Sequence, residues 1–144
     1  MPGKVFLDAN ILVYAQDAAW PDKQRKSREA IAALVGSGDG VISTQVMQEF
    51  YVTATRKLAR PLAPARARAI VGRYGTWPVH RIEPEDILQA SELEEQSSVS
   101  FWDALVVVAA SRLGATRLLT EDLQHGHRIA GVQIENPFET PSAG

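Results

Sequence analysis

The sequence predicts an α/β protein, a parallel sheet with crossover helices, on three observations. Strand-like and helix-like segments alternate from one end of the 144-residue chain to the other. Short apolar runs of strand type, Val5-Phe6-Leu7 and Leu118-Leu119, lead into acidic residues, Asp8 and Asp122, where a strand gives way to a loop. Gly and Pro punctuate the rest at Trp20-Pro21, Gly36-Ser37-Gly38, Pro61 and Pro64.

In chain order, Lys4 to Leu7 reads as the first strand and Asn10 to Gln16 as a short helix stopped before Trp20-Pro21. A second helix is expected from Asp22 to Val35, ended by the following glycines. Gly40 to Ser43 is a short strand, and in the helix from Thr44 to Leu58 the residues Val46, Phe50, Ala54 and Leu58 recur every fourth position. Ala65 to Tyr74 reads as a helix, Val79 to Ile82 as the third strand, and Glu85 to Gln96 as an acidic helix entered through Pro84. Ser100 to Leu113 is apolar on every side and is expected to lie deep, against the centre of the sheet. Arg117 to Thr120 and Val132 to Ile134 complete five strands. No repeat or internal boundary interrupts the chain. Residues 1–138 are therefore expected to form a single domain, with 139–144 a frayed tail.

Hydrophobic residues make up 45% of the sequence, enough for one real core at this length. There is no cysteine, which excludes disulfides, thiolate metal sites and cysteine nucleophiles. Any metal must be held by oxygen or histidine. Asp8 and Asn10 break the apolar stretch near the start, and no run approaches the ~20 apolar residues of a membrane span, so a cytoplasmic protein with no membrane contact is expected. The net charge of −2 hides a polar distribution: Phe50 to Ile82 holds seven basic residues and no acid, whereas Glu83 to Asp103 holds seven acids and no Lys or Arg. The basic stretch reads either as a solvated helical face or as a surface that follows phosphates.

Four acids carry the functional signal. Sites in open parallel sheets lie at the carboxyl ends of the strands, where Asp8 and Asp122 both fall. If their strands are neighbours, the two carboxylates approach within a few ångströms, and a cation between them would relieve the repulsion. Asp8 by itself reads as a helix N-cap, since the turn from strand to helix is short. Asp103 is the one polar side chain from Phe101 to Ala110; Ser100-x-x-Asp103 also fits a capping box, but a carboxylate among those apolar neighbours is costly to desolvate unless a metal or wet cleft receives it. Asp122 is balanced between function and turn chemistry, and its neighbour Glu121 competes with it. Strand alternation turns the two to opposite faces, so that Thr120 and Asp122 point together. Glu49, off the centre of its helix's apolar stripe, reads from pattern alone as solvated. His125 and His127 flank a glycine with no third histidine nearby and read as turn residues rather than a zinc site. His80 has no evident partner in the sequence. The three tryptophans read first as core or interface residues, with Trp77, beside Arg73 and Arg81, as a candidate base-stacking ring.

Taken together, Val5-Phe6-Leu7-Asp8-Ala9-Asn10-Ile11-Leu12, Ser43 with Glu49-Phe50, Phe101-Trp102-Asp103-Ala104-Leu105, Leu118-Leu119-Thr120-Glu121-Asp122-Leu123 and Asn136-Pro137-Phe138 resemble a PIN domain of the VapC toxin type. The resemblance spans the chain and implies a three-layer α/β/α fold with a five-stranded parallel sheet. It implies an acidic pocket that binds one or two Mg²⁺ or Mn²⁺ ions and cleaves RNA to leave a 3′-hydroxyl and a 5′-phosphate. Asp8, Glu49, Asp103 and Asp122 match the family's acidic positions, and Asn10, Ser43 and Thr120 match supporting polar ones. Glu49 becomes a site residue through this match alone. Asp8 and Asp103 are expected as the principal ligands, direct or through water, with Glu49 and Asp122 completing the site. The expected partners are an RNA substrate and a small antitoxin protein, with a homodimer left open. The competing reading is a catalytically silent PIN-like module that binds RNA or protein. A haloacid dehalogenase-type phosphotransferase would need an acid where Asn10 stands, and a receiver domain would need a late lysine, yet Lys57 is the last one.

Overall fold

The computed structural model describes residues 3–139. The elements run β1 (Lys4–Leu7), α1 (Ala9–Tyr14), α2 (Pro21–Ser37), β2 (Gly40–Ser43), α3 (Thr44–Arg56), α4 (Pro64–Tyr74), β3 (Val79–His80), α5 (Pro84–Ser97), α6 (Phe101–Arg112), β4 (Ala115–Leu119), β5 (Arg128–Ile129) and β6 (Val132–Glu135). The α/β class is as expected, and the strands form a single sheet in the order β3-β2-β1-β4-β6-β5. Its first five members in that order are parallel.

The sheet has six strands rather than five, and the extra one, β5, runs antiparallel to β6 with Ile129 opposite Val132. Its two-residue turn is Ala130-Gly131, both at positive φ (50° and 81°). Left-handed φ at both central residues belongs to a tight hairpin, usually announced by Asn-Gly or Asp-Gly. Alanine at the first position gives no such signal, and a two-residue strand is too short to show alternation. At the other edge, β3 is only Val79–His80 because β2 offers it just Ile42 and Ser43. Helix α2 continues through Gly36 and Ser37 and stops at Gly38, whose φ of 74° ends the helix while its N–H reaches Leu34 O at 2.9 Å.

Crossovers between parallel strands are right-handed. The chain steps from β1 outward to β2 and β3, then returns across the sheet to β4 on the other side of β1. Helices α1 to α4 therefore cover one face and α5 with α6 the other. Helix α6 lies over the middle of the sheet, touching β2, β4 and β6, and its residues Ala104 to Ala110 are all buried, as its all-round apolarity predicts. Phe6, Leu7, Ile42, Leu118 and Ile134 are completely enclosed between the helical layers. Burying each aliphatic side chain of this kind contributes roughly 1.5–3 kcal/mol. In α3 the predicted stripe of Val46, Phe50 and Ala54 faces inward, and Leu58, expected in the same helix, lies just past its end at Arg56 and is buried too.

Two side chains add detail to the sequence reading. Trp77 is half-buried, packs edge-on against Tyr74 with ring centres 4.9 Å apart, and lies so close over Gly40 that a Cβ there would meet the indole at 2.4 Å. It is a core residue, as the first reading had it, and not the base-stacking ring of the second. His80 does have a partner: its Nε2 is 2.7 Å from Asp86 Oδ2, and Asp86 also accepts from Glu83 N (2.8 Å) and Arg112 Nε (3.0 Å), which ties α5 to β3 and α6. Among the described residues no helix is long and apolar enough to cross a membrane. Of the expected tail, only Glu139 is among the described residues.

Candidate active site

Strands β1 and β4 are neighbours in register, Leu7 opposite Leu119, and Asp8 N donates to Leu119 O at 3.0 Å. Their outgoing connections diverge, β1 toward β2 and β4 toward β6, so a crevice opens at their carboxyl ends. Asp8 lies at its floor, 4% exposed. One oxygen, Oδ1, accepts from Ala9 N at 2.7 Å, so the capping role is real; the other, Oδ2, accepts from the Thr120 hydroxyl at 2.7 Å. Thr120 is fully buried, and its Oγ1 in turn accepts from Asp122 N (3.1 Å) and from Asn10 Nδ2 (3.3 Å). Asn10 completes the ring, donating to Asp122 Oδ2 at 3.1 Å and accepting from Glu121 N at 3.3 Å. Asp8, Asn10, Thr120 and Asp122 thus form one hydrogen-bonded cluster between residues 110 or more apart in sequence.

Thr120 and Asp122 point together, as alternation predicts. Glu121 turns the other way, accepting from Tyr14 O–H (2.8 Å) and pairing with Lys23. Glu49 projects from α3 and is half-buried rather than solvated; on the same wall as Asp8 and Asp122 it lines a cleft of about 470 Å³. Asp103 stands in the first turn of α6, where Ser100 Oγ accepts from its N–H at 3.1 Å, and with Asp122 it lines an adjoining cleft of about 640 Å³. Asp122, exposed, belongs to both clefts and joins them. Ser43 caps α3, its Oγ accepting from Val46 N at 3.3 Å, and lines neither cleft. His125 is held structurally, its Nδ1 accepting from Asn136 N at 2.9 Å, while His127 lies at the exposed rim near Asp103.

Pattern reading passed over Gln45. Its side chain is 4% exposed, and its Nε2 donates both to Glu49 Oε1 (3.0 Å) and to Trp102 O (3.2 Å), bridging the helices that carry Glu49 and Asp103. Both partners are acceptors, so the amide nitrogen must face them. That leaves Oε1 buried with no partner of its own. A glutamine one turn before a glutamate gives no sequence signal of this kind, because the second contact comes from a residue 57 positions away.

The electrostatics are those of crowded carboxylates. Burial pushes Asp8 up to about 7, reinforced by the charges of Asp122 and Glu49 and opposed by the Thr120 and Ala9 hydrogen bonds. Burial also raises Glu49, helped by Asp103 and Asp122 and opposed by Gln45. Asp103 is raised by burial and by Asp122, against its hydrogen bond with Ser100. Each of these three acids is thus costly to ionise, chiefly through burial and further through its acidic neighbours.

The donor set is carboxylate and hydroxyl oxygen, which suits a hard divalent cation such as Mg²⁺ or Mn²⁺. Among the described residues no three carboxylates or histidines stand close enough to form a ready cage. An ion here would take one or two carboxylates directly and reach the others through its own waters, the habit of Mg²⁺.

A family model described as the PIN domain matches residues 5–130. A toxin–antitoxin complex from Klebsiella pneumoniae superposes with a TM-score of 0.68 at 17% identity, covering 95% of this chain and 100% of that one. DNA-bound VapBC from Salmonella typhimurium gives 0.65 at 21% identity, over 94% and 98%. The sarcin–ricin loop cleaving VapC toxin of Mycobacterium tuberculosis gives 0.57 at 21% identity, over 80% and 87%. At such identities the likeness is one of fold. No curated protein matches the chain.

Proposed function

The chain belongs to the PIN-domain family, and from that premise we propose that it is a divalent-metal-dependent endoribonuclease, the toxin of a toxin–antitoxin pair. The observation that carries the reading is the convergence of Asp8, Glu49, Asp103 and Asp122, from four separate segments, on two joined clefts where burial and the neighbouring carboxylates push the carboxyls of Asp8, Glu49 and Asp103 up. A fold gains no stability from such an arrangement, whereas a phosphodiester hydrolase needs it. Perturbed carboxylates in a cleft are a functional signature. The sarcin–ricin loop cleaving neighbour supports RNA as the substrate class.

Asp8 and Asp103 would be the principal ligands, with Glu49 and Asp122 completing the set. A divalent ion bound there supplies a nucleophilic water near neutral pH and neutralises charge on the phosphate. The protein's own part is positioning. Thr120 and Ala9 N–H fix both oxygens of Asp8, Asn10 fixes Asp122, and Gln45 fixes Glu49. Seven exposed cations, Arg56, Lys57, Arg60, Arg66, Arg68, Arg73 and Arg81, enter no ion pair among the described residues and suit sequence-independent phosphate contacts.

The antitoxin is the second half of the proposal, supported by the toxin–antitoxin complexes among the similar structures. A cleft of about 270 Å³ between α2 and α4, floored by Ile31, Ile70, Tyr74 and Trp77 and edged by Arg28 and Arg73, suits the apolar face and acidic flank of a partner helix. Cleavage of structured RNA in Mn²⁺, stopped by EDTA, tests the enzymatic reading. Retention of RNA without cleavage under those conditions would replace it with the silent binding module.

A further inference from the structure

Glu121, Lys23, Tyr14 and Trp20 have no part in the reading above, yet they are tightly organised. Lys23 Nζ pairs with Glu121 and donates to the Tyr14 hydroxyl (3.4 Å). The same ammonium lies 4.8 Å from the ring centre of Tyr14, 5.2 Å from that of Trp20 and 5.3 Å from that of Phe138. Tyr14 also meets Trp20 and Phe138 edge-on, at 6.4 and 5.2 Å. One cation among three rings fastens α1, the entry to α2 and the chain after β6 to one another. The Trp20 backbone is fixed as well: its carbonyl accepts from Gln24 N at 2.8 Å, its N–H donates to Asp17 O at 3.3 Å, and Pro21 follows.

A fastener of this kind is most stable with its rings covered, because an indole is a large apolar surface. Trp20 is nevertheless 53% exposed, and the space it faces is the cleft lined by Asp8, Asn10, Glu49 and Asp122. Lys57, exposed and just past α3, lines the same cleft. A rigid, half-bare indole and a free ammonium flanking a carboxylate floor match the two parts of a nucleotide that the floor itself cannot hold, its base and its phosphate.

We propose that Trp20 is a nucleobase-stacking platform at the mouth of the carboxylate cleft, and that Lys57 contacts a phosphate of the same bound strand. The proposal rests on the reading of this cleft as a site for RNA. Stacking accepts any base through its π-face, so Trp20 contributes affinity with little sequence preference. Because the indole is uncharged, its contribution persists at high salt, whereas that of Lys57 fades as salt rises. Glu121 then has a role distinct from its neighbour Asp122: it holds Lys23, and through Lys23 the platform.

The test uses the full chain with Asp103→Asn, so that RNA stays intact, and a short single-stranded RNA carrying 5-bromouridine. Irradiation is expected to crosslink the RNA to Trp20, as mapped by peptide mass spectrometry, and Trp20→Leu is expected to remove that crosslink. In the otherwise native enzyme, Trp20→Leu is expected to raise KM for RNA about tenfold with kcat held, Trp20→Phe to restore most of the loss, and the defect to persist at high salt. Crosslinks that map elsewhere or fail to form, or a Trp20→Leu enzyme with native KM, overturn the platform while leaving the nuclease reading in place. A Trp20 crosslink on a protein that never cleaves RNA upholds the platform and overturns the nuclease. Should Trp20→Leu fail to fold, the crosslink position in the Asp103→Asn protein and the KM of Trp20→Phe decide.

Discussion

Asp8 shows how two readings of one residue can both hold. Its Oδ1 accepts from the first backbone N–H of α1 while Oδ2 accepts from Thr120. The cap alone would not require burial among other negative charges, nor a carboxyl pushed up to about 7 by that burial. Removing the charge relieves the cluster, so Asp8→Asn is expected to melt no lower than the native protein in EDTA while losing metal-dependent cleavage by a hundredfold or more. Thermal melting beside a cleavage assay checks both halves, and full activity would sink the assignment of Asp8. Gln45 is a subtler case, since it touches Glu49 and the Trp102 carbonyl and lines neither cleft. Gln45→Ala is expected to cost roughly ten- to a hundredfold in activity, the range found when a partner that orients a ligand is lost. The effect should come with weaker Mn²⁺ binding in titration calorimetry, a readout that simple loss of packing would leave alone. Asp8 and Asp103 were legible as functional from their apolar settings. Glu49 was legible only through family resemblance, because the groups that surround it, Asp8, Val13 and Asp122, come from segments far away in sequence and not from its own helix.

Among the elements, α5 packs on α6 through Ala90 and Leu93 and is tied to its neighbours by one buried acid. Asp86 is 2% exposed and holds His80, Arg112 and the Glu83 N–H. Burial raises its carboxyl, but the Glu83 N–H, His80 and Arg112 together outweigh this and leave it below its ordinary value. A carboxyl with a lowered folded pKa contributes stability that is fully present above its unfolded value and is lost as pH falls through the folded one. Asp86→Ala is therefore expected to cost about 3 kcal/mol at neutral pH, the cost diminishing in acid, with cleavage per folded molecule unchanged. Urea unfolding at neutral and acidic pH measures it, and equal losses at both would contradict the linkage. The helices and the four longer parallel strands could be read from periodicity and from Gly and Pro. What could not be read were the two-residue strand β5, whose turn carries Ala130 at positive φ, and the stacking of Trp77 over Gly40, which joins residues far apart in sequence.

At the scale of the whole molecule, the charge division seen in the sequence becomes geography. Unpaired cations ride on α3, α4 and the loops beside them, while the acids of α5 lie across the sheet. The same cationic side holds the apolar cleft between α2 and α4, where Val35 is 64% exposed. Val35→Glu is expected to abolish co-purification with the antitoxin while leaving cleavage intact, as checked by pull-down of co-expressed protein. Retained co-purification would move the partner to another surface. The central claim is that four carboxylates gathered at the β1 and β4 ends cut RNA. It is tested most directly by sequencing RNA 5′ ends after brief induction of the native chain and of Asp103→Asn. The account predicts a restricted set of new 5′-phosphate ends in the native sample, absent from the variant. The same ends in both samples, or none in either, would contradict it.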